Sequence, residues 1–433
     1  MSKICFLGAG STVFAKNVIG DCLYVEPLKD ATIALLDIDS ERLKDSEKMV
    51  MNLNKTLGGK MKIESYLADE ADKALKGADY VINAIQVGGY EPCTVIDFEI
   101  PKKYGLRQTI GDTLGIGGIF RALRTIPVML KYCEIIEKVA PDALLLNYTN
   151  PMAMVTGAIL KATSVRTVGL CHSVQVCAPQ LCLMLELPDD NLQWKIAGIN
   201  HQAWLLEIKR NGTDLYPEIK KRAELPQYRW KDTVRFEIMK RFGYYVTESS
   251  EHNAEYVPWF IKNRAPHLIE EYNIPLDEYP RRCIAQIEAW KYLREELTAD
   301  KPLSHERTHE YASYILEAIE TGKPYTFGGN VLNYGLITNL PYKCCVEVMC
   351  VADRTGITPT YVGELPVQCA ALNRTNINVQ EVAVEAVLTK KKEYIYQAAL
   401  LDPHTSAELT IDEIVKLCDE MIEAHRGWLP EFY

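Results

Sequence analysis

An α/β fold is predicted for this chain of 433 residues, with a doubly wound parallel sheet first and an α+β unit after it. Three observations predict it. Short, wholly apolar runs alternate with helical periodicity over the first 170 residues or so. A Gly-Ala-Gly turn joins the first run to the first helix. Near residue 195 the pattern changes from buried runs to half-buried alternation. Strands apolar on both faces and separated by helices belong to a parallel sheet covered on both sides. Hydrophobic residues make up 48% and charged residues 24%, near the globular average, which excludes a disordered chain or a fibre.

The elements follow in order. Lys3–Leu7 reads as a strand, broken by Gly8-Ala9-Gly10, and Thr12–Leu23 as a helix. Thr32–Leu36 is a second strand, ending in Asp37-Ile38-Asp39. Glu41–Leu57 is helical, with Leu43, Val50 and Leu53 among its apolar positions. Ala78–Ile85, Leu144–Asn147 and Thr167–Leu170 complete the parallel set. Together these predict a Rossmann-type, NAD-binding domain over residues 1–195. Residues 196–433 are predicted as an α+β domain for substrate binding and oligomerisation. Within it, Trp194–Lys209 alternates like half-buried strands, 232–325 is mainly helical, and Val331–Leu340 and Cys344–Asp353 read as antiparallel strands. Helices fill 378–424. Lys220–Lys231 is the expected mobile surface loop.

Composition narrows the partners. There are 48 Lys+Arg against 58 Asp+Glu, a net charge of −10, which argues against nucleic acid. Two stretches without charge, Ala143–Leu160 and Thr167–Leu185, carry Asn, Gln, His and Pro mid-span, so a membrane is not expected either. The N-terminus runs straight into a strand, not into a signal peptide, so a cytoplasmic address is expected. There the thirteen cysteines are expected to be mostly buried thiols.

Several motifs sit at predicted strand ends, where open α/β sheets bind ligands. Gly8-Ala9-Gly10-Ser11-Thr12-Val13 would bring a pyrophosphate to a helix N-terminus, although Val13 replaces the usual third glycine. Asp37 would accept bonds from ribose hydroxyls and favour NAD over NADP. Asn83, within the third strand, joins Gly8, Gly10, Ser11, Thr12 and Asp37 as a candidate cofactor contact. Asn150, before Pro151, could donate to a substrate hydroxyl. Cys171 and His201 form an incomplete metal set, suited to a divalent ion with open positions. Glu248–Tyr256 crowds five ionisable or phenolic groups together, any of them a potential general base. Residues 108–118 form a loop too glycine-rich for the core, able to close over a cofactor. Arg281-Arg282 reads first as a surface ion pair, with Arg282 also a candidate substrate contact.

The ordered set GAGST, NAIQVGGYEP, QTIGDTLGIGG, NYTNPMA, GLCHSVQ, AGINHQAW and ESSEHNAEY resembles glycoside hydrolase family four over nearly the whole chain. The CHSV stretch is similar to the version found in bacterial α-galactosidases of that family. The resemblance implies a lactate/malate dehydrogenase-like architecture, NAD and a divalent metal, usually Mn²⁺, and a homodimer or homotetramer. It implies hydrolysis through hydride removal at C3, proton removal at C2, elimination of the aglycone, water addition and return of the hydride. Carried over residue by residue, Cys171 and His201 match metal ligands, and Asn150 the residue touching sugar and metal. His172 matches the acid that assists the aglycone. Asp112 falls in the loop that supports the base. Glu251 is the first candidate for that base and Tyr256 the second.

The implied substrate is a terminal α-galactoside of the melibiose or raffinose type. An α-galacturonide or α-glucoside is the alternative within the family. Outside it stand a 2-hydroxy-acid dehydrogenase, which would leave Cys171 with His201 unexplained, and a non-catalytic NAD-binding protein.

Overall fold

The computed structural model describes residues 1–433, which build one sheet of thirteen strands with helices on both faces. Six strands are parallel: β1 (Lys3–Leu7), β2 (Thr32–Asp37), β3 (Lys62–Leu67), β4 (Tyr80–Asn83), β5 (Leu144–Asn147) and β6 (Arg166–Gly169). Their order is β3-β2-β1-β4-β5-β6. This is the doubly wound order expected from the sequence, and it reverses between β1 and β4. β4 and β5 are buried along their whole length, which is why they contain no outward polar position until Asn83 and Asn147 close them. The edge strand β3 was not legible as a strand. Its KIESYL sequence mixes charge with apolar residues because only one neighbour covers it.

The remaining strands are antiparallel: β7 (Leu192–Ile199), β8 (Gln202–Arg210), β9 (Thr213–Asp214), β10 (Tyr245–Val246), β11 (Tyr325–Leu332), β12 (Cys345–Asp353) and β13 (Gly356–Pro359). They do not form a separate sheet. β11 joins β6 where Asn330 pairs with Gly169, and β12, β7, β8 and β10 extend the sheet outward. The long helix Val367–Thr389 packs on Gly115–Val139 and Met152–Ala162, so late residues cover early strands. One apolar core runs through both regions.

Three local expectations are corrected. Lys220–Lys231 is not a mobile loop: helices Tyr216–Ala223 and Pro226–Arg229 occupy it. Ile219, Ala223 and Tyr228 are buried there, and Arg222 and Lys231 donate to carbonyls of residues 184–186. The strand expected over Val331–Leu340 ends at Leu332. Buried Asn333 then bonds Ile337, Leu340 and Pro341 carbonyls through Nδ2 and the Ile337 N–H through Oδ1, which folds the chain into a turn. Residues 108–118 are buried, not a surface flap. A Cβ at Gly117 would lie 2.3 Å from the Gly111 carbonyl oxygen, so glycine is needed because the loop packs on the helix it starts. No helix is long and apolar enough to cross a membrane.

Candidate active site

The carboxyl ends of β1, β4, β5 and β6 lead into the Gly8–Gly10 turn, Asn83, Asn150 and Cys171, and the β7–β8 turn sets His201 beside Cys171. Gly8 has φ +83°, and a Cβ there would sit 2.9 Å from the Ala84 carbonyl, so the exits of β1 and β4 can lie close only with glycine. Gly10 donates its N–H to Asp37 Oδ2 at 2.6 Å, and Asp39 donates to Oδ1 at 2.9 Å. Asp37 therefore fixes the turn, and its carboxylate keeps lone pairs for ribose hydroxyls. Ser11 is exposed. Thr12 turns its hydroxyl inward to the Gly10 carbonyl at 3.2 Å. The first N–H groups of helix Thr12–Cys22 have no intrahelical acceptor, so a diphosphate fits there. Val13, in the place of the third glycine, is 45% exposed, so its side chain has room there. The buried Nδ2 of Asn83 donates to Asn147 Oδ1 at 2.7 Å and Thr149 Oγ1 at 3.0 Å, so its side chain ties the strand ends together.

Cys171 follows β6, His201 turns the β7–β8 hairpin and Glu248 follows β10. Their Sγ, Nε2 and carboxylate atoms lie within 4.8 Å of one another. Glu248 Oε2 is 3.5 Å from His201 Nε2 and 4.0 Å from Cys171 Sγ. His201 and Glu248 both have positive φ, +63° and +68°. Such backbone costs about 1–3 kcal/mol per residue and is kept where surrounding structure holds a functional group in place. Burial pushes the Cys171 thiol well above its ordinary range, and the Glu347 and Glu248 carboxyls add to that. Burial also raises Glu248, but His201, His252 and Arg235 outweigh it and leave the carboxyl below its usual value. A thiol, an imidazole and a carboxylate at this spacing fit a divalent cation with positions left for substrate oxygens. Beneath them lies Glu347 on β12. It accepts from Asn330 Nδ2 at 2.8 Å, its Oε2 has no partner, and burial pushes it up to about 7.

Asp112 lies against the same cluster. Its Oδ2 accepts from Asn150 Nδ2 at 2.9 Å, and its Oδ1 is 3.5 Å from His252 Nε2. Burial raises Asp112, but His252 and Arg121 more than compensate and hold it well below the carboxylate range. His252 Nδ1 is in turn 3.5 Å from Glu248 Oε1, and its ring centroid is 4.5 Å from that of His201. The two bases expected from the sequence engage different partners. Tyr256 OH bonds His201 Nδ1 at 3.2 Å and Thr113 Oγ1, so it orients the metal-facing histidine from behind. The Glu251 carboxylate is 3.9 Å from Arg282 and is not one of the three grouped ligand atoms, while its backbone carbonyl accepts from the Thr109 hydroxyl. Arg282 bonds Glu278 at 2.9 Å on an exposed helix, so it is the surface ion pair and not a contact of this cluster. His172 opens helix His172–Met184, and its Nε2 lies 2.7 Å from Glu310 Oε2.

Models of the family 4 glycosyl hydrolases match the chain, the family 4 glycosyl hydrolase description over residues 3–187 and its C-terminal domain over 196–405. An α-galactosidase of Bacillus subtilis (strain 168) is 61% identical over 433 residues, covering both chains completely. The chain belongs to glycosyl hydrolase family 4. Another family 4 relative, an α-galactosidase of Rhizobium meliloti (strain 1021), is 37% identical, covering 99% of this chain and 89% of its own. A 6-phospho-α-glucosidase from gut microorganisms, solved in complex with NAD and Mn²⁺, has the same fold, with TM-score 0.80 and 22% identity over the full length of both chains.

The structure groups Cys171 and His201 with Glu248, and Asn150 with Asp112 and His252, while the side chain of His172 pairs with Glu310. The sequence reading passed over three carboxylates as individuals. Glu248 was visible only as one of a polar run; its signal was its place two residues after a short β-type pair, Tyr245-Val246. Glu347 is a lone charge inside the apolar strand CVEVMCVAD, and a buried charge needs a partner or a purpose. Glu310 carried no local signal at all.

Proposed function

We propose that this glycoside hydrolase is an α-galactosidase, cleaving terminal α-galactosides of the melibiose or raffinose type with NAD and a divalent cation, Mn²⁺ first. The observation that carries the reading is the Cys171–His201–Glu248 set lying beside Asn150–Asp112, at the ends of strands whose first turn is built for a dinucleotide. Full-length identity to an α-galactosidase supports the sugar. When bound, NAD would supply reversible hydride chemistry to the sugar ring and the cation would supply Lewis acidity to its hydroxyls. Cys171, His201 and Glu248 hold the cation. Tyr256 fixes the tautomer of His201. Asn150 orients the sugar hydroxyls while Asp112 orients Asn150. The pair Asp112–His252 receives the C2 proton, in preference to Glu251 and Tyr256, because it alone faces the residue that meets the sugar. His172 gives a proton to the departing aglycone oxygen and recovers one from the water that adds.

A cytoplasmic address suits a site that depends on a reduced thiol; all thirteen cysteines are free and only Cys171 is not fully buried. A homodimer or homotetramer suits helix Glu278–Leu297, whose only buried residue is Cys283 and whose Ile284, Ile287, Tyr292 and Leu293 are exposed. Light scattering on the eluting protein tests this. The substrate is tested with p-nitrophenyl α-galactoside, α-glucoside and α-galacturonide, each with and without NAD, Mn²⁺ and a thiol reductant. Turnover of the galactoside that requires all three additions is expected. Preference for the glucoside or galacturonide would move the chain to another specificity within the family. NADH accumulating without sugar release would reject hydrolysis.

A further inference from the structure

We propose that Glu310 is the positioning residue that aims His172 at the aglycone, and that a strap anchored on Asp21 holds Glu310 in place. The inference rests on the acid role proposed above for His172. Glu310 Oε2 lies 2.7 Å from His172 Nε2, and the glutamate side chain is 15% exposed while the histidine is half exposed. With Nε2 committed to the carboxylate, Nδ1 is the nitrogen presented to substrate. The ring is flanked by Tyr148 and Tyr311, at centroid distances of 5.9 and 5.8 Å, so its plane is fixed as well as its hydrogen bond.

The strap explains why Glu310 can stay there. Its N–H donates to Thr308 Oγ1 at 3.1 Å. Thr308 in turn donates through its N–H and its hydroxyl to the two oxygens of Asp21, at 2.8 and 2.6 Å. His305 Nε2 meets Asp21 Oδ1 at 2.8 Å, and Asp21 is wholly buried. The neighbouring Gly20 makes this approach possible: a Cβ there would fall 2.6 Å from the His305 ring. Asp21 lies on the helix that begins at the Gly8–Gly10 turn, so the element serving the dinucleotide also anchors the aglycone side.

In the step served, the C1–oxygen bond breaks and its electron pair stays on the aglycone oxygen. That oxygen takes the proton from His172 Nδ1, and water adding at C1 later returns a proton to the same nitrogen. Good leaving groups need this proton little; sugar alcohols need it most.

The test compares kcat/KM for melibiose and p-nitrophenyl α-galactoside in the holoenzyme. Glu310→Ala is expected to lose about 10²–10³-fold on melibiose and less than about tenfold on the nitrophenyl substrate, in line with the usual worth of a positioned acid. His172→Ala should show the same selectivity. Glu310→Gln still accepts from Nε2 and should recover about tenfold or more on melibiose. Asp21→Asn should shift selectivity in the same direction by a smaller factor. A second readout needs no turnover. ¹⁵N-histidine spectra of the cofactor-free chain, assigned with His172→Asn, should place the His172 proton on Nε2, and Glu310→Ala should remove that bias. Equal losses of Glu310→Ala on both substrates, or no loss, would overturn the assignment of Glu310 while His172→Ala stays selective. Equal losses in His172→Ala would overturn the acid role and this inference with it.

Discussion

At the scale of single residues, the site is a set of side chains whose partners decide their work. Glu248 has two neighbouring histidines and a strained backbone, so it is expected to be a ligand and not a bystander. Glu248→Gln should weaken Mn²⁺ binding by more than about 100-fold, since even residues behind a ligand commonly contribute 10–100-fold. Tyr256→Phe should fall in that 10–100-fold range, because it removes the bond to His201 Nδ1 and leaves the ligands themselves intact. Calorimetric titration of each variant with Mn²⁺ separates the two. Glu347 predicts a pH effect. Its ordinary value is 4.5 and burial raises it to about 7. Between those values the folded chain keeps a proton that the unfolded chain has released, so stability falls as pH rises through this window. The shift corresponds to a penalty on the order of 3 kcal/mol above it. Glu347→Gln should therefore stabilise the chain at pH 8 relative to the parent and do little at pH 5, read from urea unfolding at both. Cys171, His201 and Asn150 were legible in the sequence because each stands close after a strand end, whereas Asp112, between two helices, was singled out only through the resemblance. Glu310 and Glu347 were not, because their partners lie 138 and 17 residues away and nothing local marks the pairing.

At the scale of elements, each functional segment is a turn made stiff by what it touches. The Gly8–Gly10 turn cannot take larger residues: Gly8 needs positive φ, and the Ala84 carbonyl fills the place of a Cβ. Gly8→Ala should destabilise the chain by about 1–3 kcal/mol through strain and overlap, and should abolish measurable NAD binding in calorimetry. Retained affinity with a lowered melting temperature would show that the turn matters only for folding. The parallel strands were readable because burial on both faces leaves near-continuous apolar runs. The edge strand β3 and the helices over 216–229 were not, since partial exposure admits Lys, Glu and Arg and mimics a loop. Asn333 stopping β11 was also out of reach: four bonds to carbonyls and an N–H up to eight residues ahead make that turn.

At the scale of the whole molecule, the two regions behave as one body because sheet, core and buried ions all cross between them. Arg124 binds Asp97 through both terminal nitrogens, at 3.1 and 2.6 Å, and His425 Nε2 joins the same carboxylate at 2.9 Å. Arg124 also donates to the Val87 carbonyl, next to the turn after β4. The end of the chain is thereby tied to the rim of the crevice. Asp97→Asn should cost about 3–5 kcal/mol, since it strands a buried guanidinium, and unfolding should remain a single transition if the regions are one cooperative unit. The sequence change near residue 195 marks a switch from parallel to antiparallel strands, and the continuity of the two sets in one sheet was not legible because pairing of Asn330 with Gly169 is invisible in either segment alone. What the entire arrangement is for is decided by the fate of one proton. Hydrolysis of melibiose in D₂O, with NAD and Mn²⁺ present, should release galactose carrying deuterium at C2, because on the proposed route Asp112–His252 removes that hydrogen and solvent replaces it. Galactose released with its original hydrogen at C2 would contradict the oxidation and elimination route.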